Sequence, residues 1–226
     1  MKITFHGHSC VQLHTEMHSI IIDPFLDGNP LATTKANEIK VEYILLTHAH
    51  SDHISDALQI ALNNDATIIA NFELALYFAK QGAKVFPMNI GGAASFPFGK
   101  VKFTQAFHSS SIEVDGEFLY GGLPAGLIVD MEDQTVYHAG DTSLFSDMHL
   151  LAKQGIQVAF LPIGDVFTMG PEDAATAAEW IQPEIVIPIH YNTFPPIQQN
   201  PEHFIQQLQE KGIKGVVLNP GQQARI

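Results

Sequence analysis

The chain is 226 residues long with a formal charge of −13, and its single cysteine, Cys10, rules out an internal disulfide and suits a reducing compartment. Hydrophobic residues make up 46% and charged residues 15%, with no apolar run of the ~18 residues a membrane span needs, so one globular domain over 1–226 is expected. Eleven basic residues against 24 acidic ones, with Arg225 the only arginine, exclude the clustered cationic face of a nucleic-acid binder.

The opening "MKITFHGHSC" lacks the features of a secretory signal, so cytoplasmic residence is the expectation. "KITF", "CVQLH" and "SIIID" read as short strands, followed by "DPFLDGNP", where Pro24, Gly28 and Pro30 interrupt pairing. "VEYILLT" is apolar throughout its centre and predicts a strand buried on both faces. Ile54, Ala57, Leu58 and Ala61 then recur at helical spacing, which predicts one helix from Ser51 to Leu62. "TIIA" is a strand and "FELALYFAKQG" a helix capped by Gly82. "KVKFTQAFH", "EFLYG", "AGLIVDM", "QTVYHAGD", "VAFLPIG" and "EIVIPIH" follow as strands. Between the last two lies the helix "PEDAATAAEWI", with Pro171 in its first turn, and a final helix starts from Asn200 and ends at Gly212. Strand blocks interleaved with helices predict a layered α/β fold with mixed sheets.

The loop between "VEYILLT" and its helix reads "THAHSDH" and carries His48, His50, Asp52 and His53. Histidine and aspartate each occur 12 times, so H-x-H-x-D-H would arise by chance about 0.002 times in such a chain. Capping the helix would need Ser51 or Asp52 alone. Imidazole and carboxylate at a strand end suit zinc, manganese or iron. His48 and His50 can point the same way while Asp52 and His53 turn into the helix, so two neighbouring subsites are expected. Their remaining ligands have to come from other strand ends, where His108, Asp141 (after Gly140) and His190 stand.

This set, in this order, resembles the metallo-β-lactamase superfamily. The resemblance extends through "HGHSC", "IIDPFLDGNPL", "MNIGG", "AFHSS", "YHAGDTSLFSDM", "FLPIGDVFTMGPEDAA" and "PIHYNTFP", nearly the whole chain, and is strongest to small bacterial and archaeal metal-dependent hydrolases related to the ascorbate-6-phosphate lactonase branch. It implies a four-layer αββα sandwich, two mixed sheets flanked by helices, with the site at one edge. It also implies that His48, His50 and His108 hold a first metal, that Asp52, His53 and His190 hold a second, and that Asp141 bridges them. Two divalent ions are therefore expected, zinc foremost, with manganese or iron as alternatives. A metal-bound hydroxide, oriented by Asp52 as the catalytic residue, would then cleave an ester-like bond: a phosphodiester, a phosphorylated lactone or a thioester. Two such ions bring four positive charges to one pocket, which leaves a small anionic substrate compatible with the acidic chain.

Around this set, His8 is a candidate for substrate contact or for supporting a ligand, and His138 for a supporting or structural place, since a regular strand points it away from Asp141. Asp165 could orient a ligand histidine, and Asn192 and Thr193 could reach substrate. His14, His18, His149 and His203 are expected at the surface, and Cys10 is expected to pack as a small side chain rather than act as a nucleophile. The rival readings are an iron redox protein on the same fold and a metal or ligand sensor without catalysis. The first is weakened because the diiron relatives resemble H-x-E where this chain has His50. The expected partner is a small molecule, with no nucleic acid or membrane, and a homo-oligomer stays open.

Overall fold

The computed structural model describes residues 1–225, and two seven-stranded sheets face one another across its centre. The first sheet contains β1 (Lys2–Gly7), β2 (Cys10–His14), β3 (Ser19–Ile22), β4 (Tyr43–Leu45), β5 (Thr67–Asn71) and β6 (Lys84–Met88) in that order, with the last strand, β16 (Gln223–Arg225), beside β1. The second contains β7 (Ala93–Phe96), β8 (Gly99–Gln105), β11 (Ala125–Met131), β12 (Gln134–His138), β13 (Val158–Pro162), β14 (Ile185–Ile189) and β15 (Lys214–Gly215). A separate ribbon pairs β9 (Ser111–Val114) with β10 (Glu117–Tyr120). Each large sheet is antiparallel on one side and parallel on the other, the change falling at β3 and at β12.

Side-chain alternation makes the layers. Ile20, Ile22, Leu45 and Ile69 point inward to meet Phe103, Leu127, Val136, Phe160 and Ile187 of the opposite sheet. Their neighbours Ile21, Ile44, Leu46 and Ile68 point outward, beneath the helices α2 (Ala57–Asn64) and α3 (Phe72–Ala79). On the far side, Ile128, Tyr137, Ala159, Leu161 and Val186 pack under α4 (Pro171–Ile181), α5 (Pro201–Glu210) and a 3-10 segment at Ser146–Gln154. The result is the four-layer αββα sandwich. Continuous apolar strands result because both faces of each sheet are covered.

Several boundaries differ from the expectation. The helix expected over Ser51–Leu62 is two helices, α1 (Ser51–Ile54) and α2, because Asp56 stops the first and turns its carboxylate to the backbone of Leu26 and Asp27. The strand expected to end at His108 stops at Gln105, and the one expected to reach Asp141 stops at His138. Both ligand candidates thus lie on loops. Strands β6, β7, β9, β15 and β16 and the 3-10 segment at Ser146 were not expected. Asn200 does cap α5, accepting from Glu202 and His203 backbone N–H, and Asn71 caps α3 through Leu74.

Candidate metal centre

Six chain segments reach one edge of the sandwich, each just past the C-terminal end of a strand. They carry His8 after β1, Asp23 after β3, His48 to His53 after β4, His108 after β8, Asp141 after β12 and His190 after β14. Pairing directions make these ends coincide: β1, β3 and β4 run one way within the first sheet, as do β8, β12 and β14 within the second. The sheets are tied at this edge by backbone bonds, His190 N–H to His8 C=O at 2.8 Å and Ala125 N–H to Thr47 C=O at 2.9 Å. His8 and His190 both hold left-handed backbone, φ 56° and 55°, an uncommon conformation for a ring-bearing residue, and here it sits at the site. Gly140 (φ +61°) brings Asp141 in, and a Cβ there would lie 2.8 Å from that of Thr47, so glycine is required on both grounds.

Three imidazoles converge on one side. His48 Nε2 stands 3.0 Å from His50 Nδ1, and His108 Nε2 stands 3.3 Å from the same His50 atom. His8, Asp52, His53 and His190 form a second group whose ligand atoms lie within 4.8 Å of one another. Asp141 lies between the two groups. Its Oδ2 is 3.9 Å from His48 and 3.6 Å from His108 on one side and 2.9 Å from His190 on the other, while its Oδ1 is 3.4 Å from His53 Nε2.

Asp23, which the sequence reading left out, sets the imidazole protons. Thr47 Oγ1 donates to Asp23 Oδ2 at 2.6 Å, so that hydroxyl can only accept from His48 Nδ1 at 2.9 Å. His53 Nδ1 donates to the same carboxylate oxygen at 2.8 Å. Both rings therefore engage Nδ1 behind the site and turn Nε2 into it, the placement of a ligating histidine with a carboxylate behind it. The signal in the sequence was an aspartate ending "SIIID" directly before Pro24.

The donor set fits divalent metal. Burial drives His48 well below the ordinary histidine range against the pull of Asp141, and burial likewise lowers His50 and His108, so these rings are neutral, the form that ligates. Burial also opposes charge on Asp141 and Asp52. It is outweighed by His190 and His53 at Asp141, and by His53 and His8 at Asp52, so both stay ionised, well below the usual carboxylate range. At His53 burial is overcome by Asp141 and Asp23, which raise the ring well above its ordinary range. Those carboxylates call for positive charge at this point. Meanwhile His53 Nε2, Asp141 Oδ1 and His190 Nδ1 are buried without a hydrogen-bond partner, a costly state that ligation by His53 and Asp141 would relieve at two of the three atoms.

The other candidates take varied places. His8 is buried, pushed down to about 4 chiefly by burial, and bridges Thr193 Oγ1 (2.8 Å) and Asp52 Oδ2 (3.1 Å). His138 donates from Nε2 to Ser9 C=O and accepts from Gly140 N–H, fixing the turn before Asp141. Asp165 is exposed; its backbone bonds Met169 and Thr168, and its side chain lies against Gly170 rather than on a histidine. Asn192 is also exposed, and its Oδ1 accepts from Gln199 N–H within its own loop. Cys10 is buried, with its thiol pushed up chiefly by burial. His14, expected at the surface, is half-buried between Thr4 and Ser19.

A sequence model of the beta-lactamase superfamily domain matches residues 2–190. Over 228 residues the chain is 53% identical to a UPF0173 metal-dependent hydrolase of Geobacillus thermodenitrificans, and 52% identical to one of Anoxybacillus flavithermus, in each case across 100% of both proteins. Among solved structures it is similar to Igni18, a metallo hydrolase from the archaeon Ignicoccus hospitalis, with a TM-score of 0.89 and 36% identity over 99% of this chain and 97% of that one. A buried histidine and aspartate cluster at the edge of an αββα sandwich, in a chain this close to those proteins along its whole length, places it plainly: it belongs to the beta-lactamase superfamily, among the UPF0173 metal-dependent hydrolases.

Proposed function

We propose that the chain hydrolyses an ester-like bond at a dinuclear centre. The observation that carries this reading is Asp141, whose carboxylate lies within 3.9 Å of His48 and His108 on one side and of His53 and His190 on the other. His48, His50 and His108 would hold one ion, and Asp52, His53 and His190 the other, with Asp141 shared. Zinc suits a nitrogen and oxygen set without thiolate, and manganese and iron are the alternatives. Bound ions supply an ionised water near neutral pH and Lewis acidity toward the substrate oxygen.

The chain's own groups do the rest. Asp52, more open than Asp141, accepts from His8 through Oδ2, which leaves its other oxygen turned to the ion it would hold with His53 and His190 and to the water beside it. His8 in turn is set by Thr193, so the His8–Thr193 pair holds Asp52 in one rotamer. Asp23 keeps His48 and His53 in the ligating tautomer. No serine or cysteine nucleophile is required.

The test is turnover of a phosphodiester, a lactone and a thioester by protein loaded separately with zinc, manganese and iron. At least one class should be hydrolysed, and Asp141→Ala and His50→Ala should each lower the rate by more than about a hundredfold, the upper end of what losing a ligand's outer partner costs. Iron-dependent oxygen consumption without hydrolysis would support the redox rival instead, and tight metal binding with no turnover would support a sensor.

A further inference from the structure

Every segment that builds the centre lies in a stretch of chain without a cation. No lysine or arginine occurs in residues 3–34, 41–79, 103–152 or 154–210, which together carry all the site loops. The charges acting on His48, Asp52, His53 and Asp141 are accordingly those of other histidines and aspartates. Two divalent ions would already be opposed by Asp23, Asp52, Asp141 and an ionised water. A phosphoryl group or second carboxylate on the substrate, away from the bond being cleaved, would find no ammonium or guanidinium on the site loops, the usual partners of such groups.

Where cations are missing, the rim carries aromatic side chains. Phe107, directly before His108, is 53% exposed, although its backbone is held at both ends: its N–H donates to Thr142 Oγ1 at 3.0 Å and its C=O accepts from Ser143 N–H at 3.1 Å. Its ring lies edge-on to Phe145, centroids 5.2 Å apart, and Phe145 is packed on the core beneath α4. Met169 N–H bonds Thr142 C=O and fixes the adjoining turn, on which Val166 (65%) and Phe167 (55%) are exposed. A large apolar ring held out of the core directly beside a ligand histidine is placed to meet what binds at the centre.

We propose that Phe107, backed by Phe145, binds an uncharged aryl or aliphatic tail of the substrate, so that the compound acted on is neutral apart from the group being cleaved. The nature of that bond rests on the hydrolase reading above, whereas recognition of the tail does not. Among the bonds considered there, a thioester or neutral lactone fits this wall and a phosphorylated one does not.

The test is calorimetric titration of zinc-loaded protein with four product-like carboxylates: acetate, hexanoate, 3-phenylpropanoate and succinate. A fully buried methylene strengthens binding about fourfold, and a half-open wall captures part of that, so hexanoate and 3-phenylpropanoate should bind about tenfold tighter than acetate, with succinate no tighter. Phe107→Ala should bring all four within about twofold, while Phe107→Leu keeps most of the hexanoate gain; unchanged zinc content and circular dichroism certify both variants. Succinate as the tightest ligand, equal affinity for all four, or a gain that survives Phe107→Ala would overturn the proposal. The readout is binding, so absence of turnover would count against the hydrolase reading alone.

Discussion

Asp23 accepts three hydrogen bonds at the floor of the centre, from Thr47 N–H, Thr47 Oγ1 and His53 Nδ1, and is fully buried. A carboxylate in this place fixes ring orientation and raises ligand basicity. Asp23→Asn keeps the shape but removes the charge, and should weaken metal binding about 10–100-fold with little change in secondary structure, as read by competition with a chromophoric chelator. An unchanged affinity would mean that the ligands hold their tautomers without it. The seven ligand candidates were legible because H-x-H-x-D-H is improbable by chance and because His108, Asp141 and His190 each follow an apolar strand. Asp23 was not, since its role comes from a bond to a ring 30 residues away. Strand-end position alone points to Asp165 and Asn192, and their side chains engage their own loops, Asp165 against Gly170 and Asn192 with Gln199 N–H.

Asp56 shapes the element that follows the ligand loop. Its carboxylate takes Leu26 N–H at 2.6 Å and Asp27 N–H at 3.1 Å, and its own N–H bonds Pro24 C=O, which pins the "DPFLD" turn to the start of α2. That turn also presents Phe25 edge-on to His8, 5.6 Å between ring centroids. Asp56→Ala leaves the buried Leu26 N–H and the part-buried Asp27 N–H without this partner and should cost about 1–3 kcal/mol of stability in urea unfolding. A loss under about 0.5 kcal/mol would show that the turn stands without it. The break at Asp56 escaped the periodicity because Ile54, Ala57, Leu58 and Ala61 keep helical spacing across it. Edge strands escaped for another reason. In β6 and β7 most side chains are at least partly exposed, and Pro87 sits within β6, tolerable only because that strand borders the sheet.

At the scale of the whole molecule, two half-parallel sheets press apolar faces together and send six loops to one edge. The layers could be anticipated from strands apolar on both faces, which only a doubly covered sheet explains. Strand order could not, because pairing β1 with β16 and β11 with β8 depends on contacts between distant parts of the chain. The sandwich is what makes a shared centre feasible, since Asp141 and His190 come from one sheet and His48 to His53 from the other. Metal analysis by plasma mass spectrometry, on protein purified without added metal and on Asp141→Ala, tests this most directly. The account predicts about two divalent ions per chain in the natural protein and fewer than about one in the variant; a single ion in the natural protein, or two retained without Asp141, would contradict it.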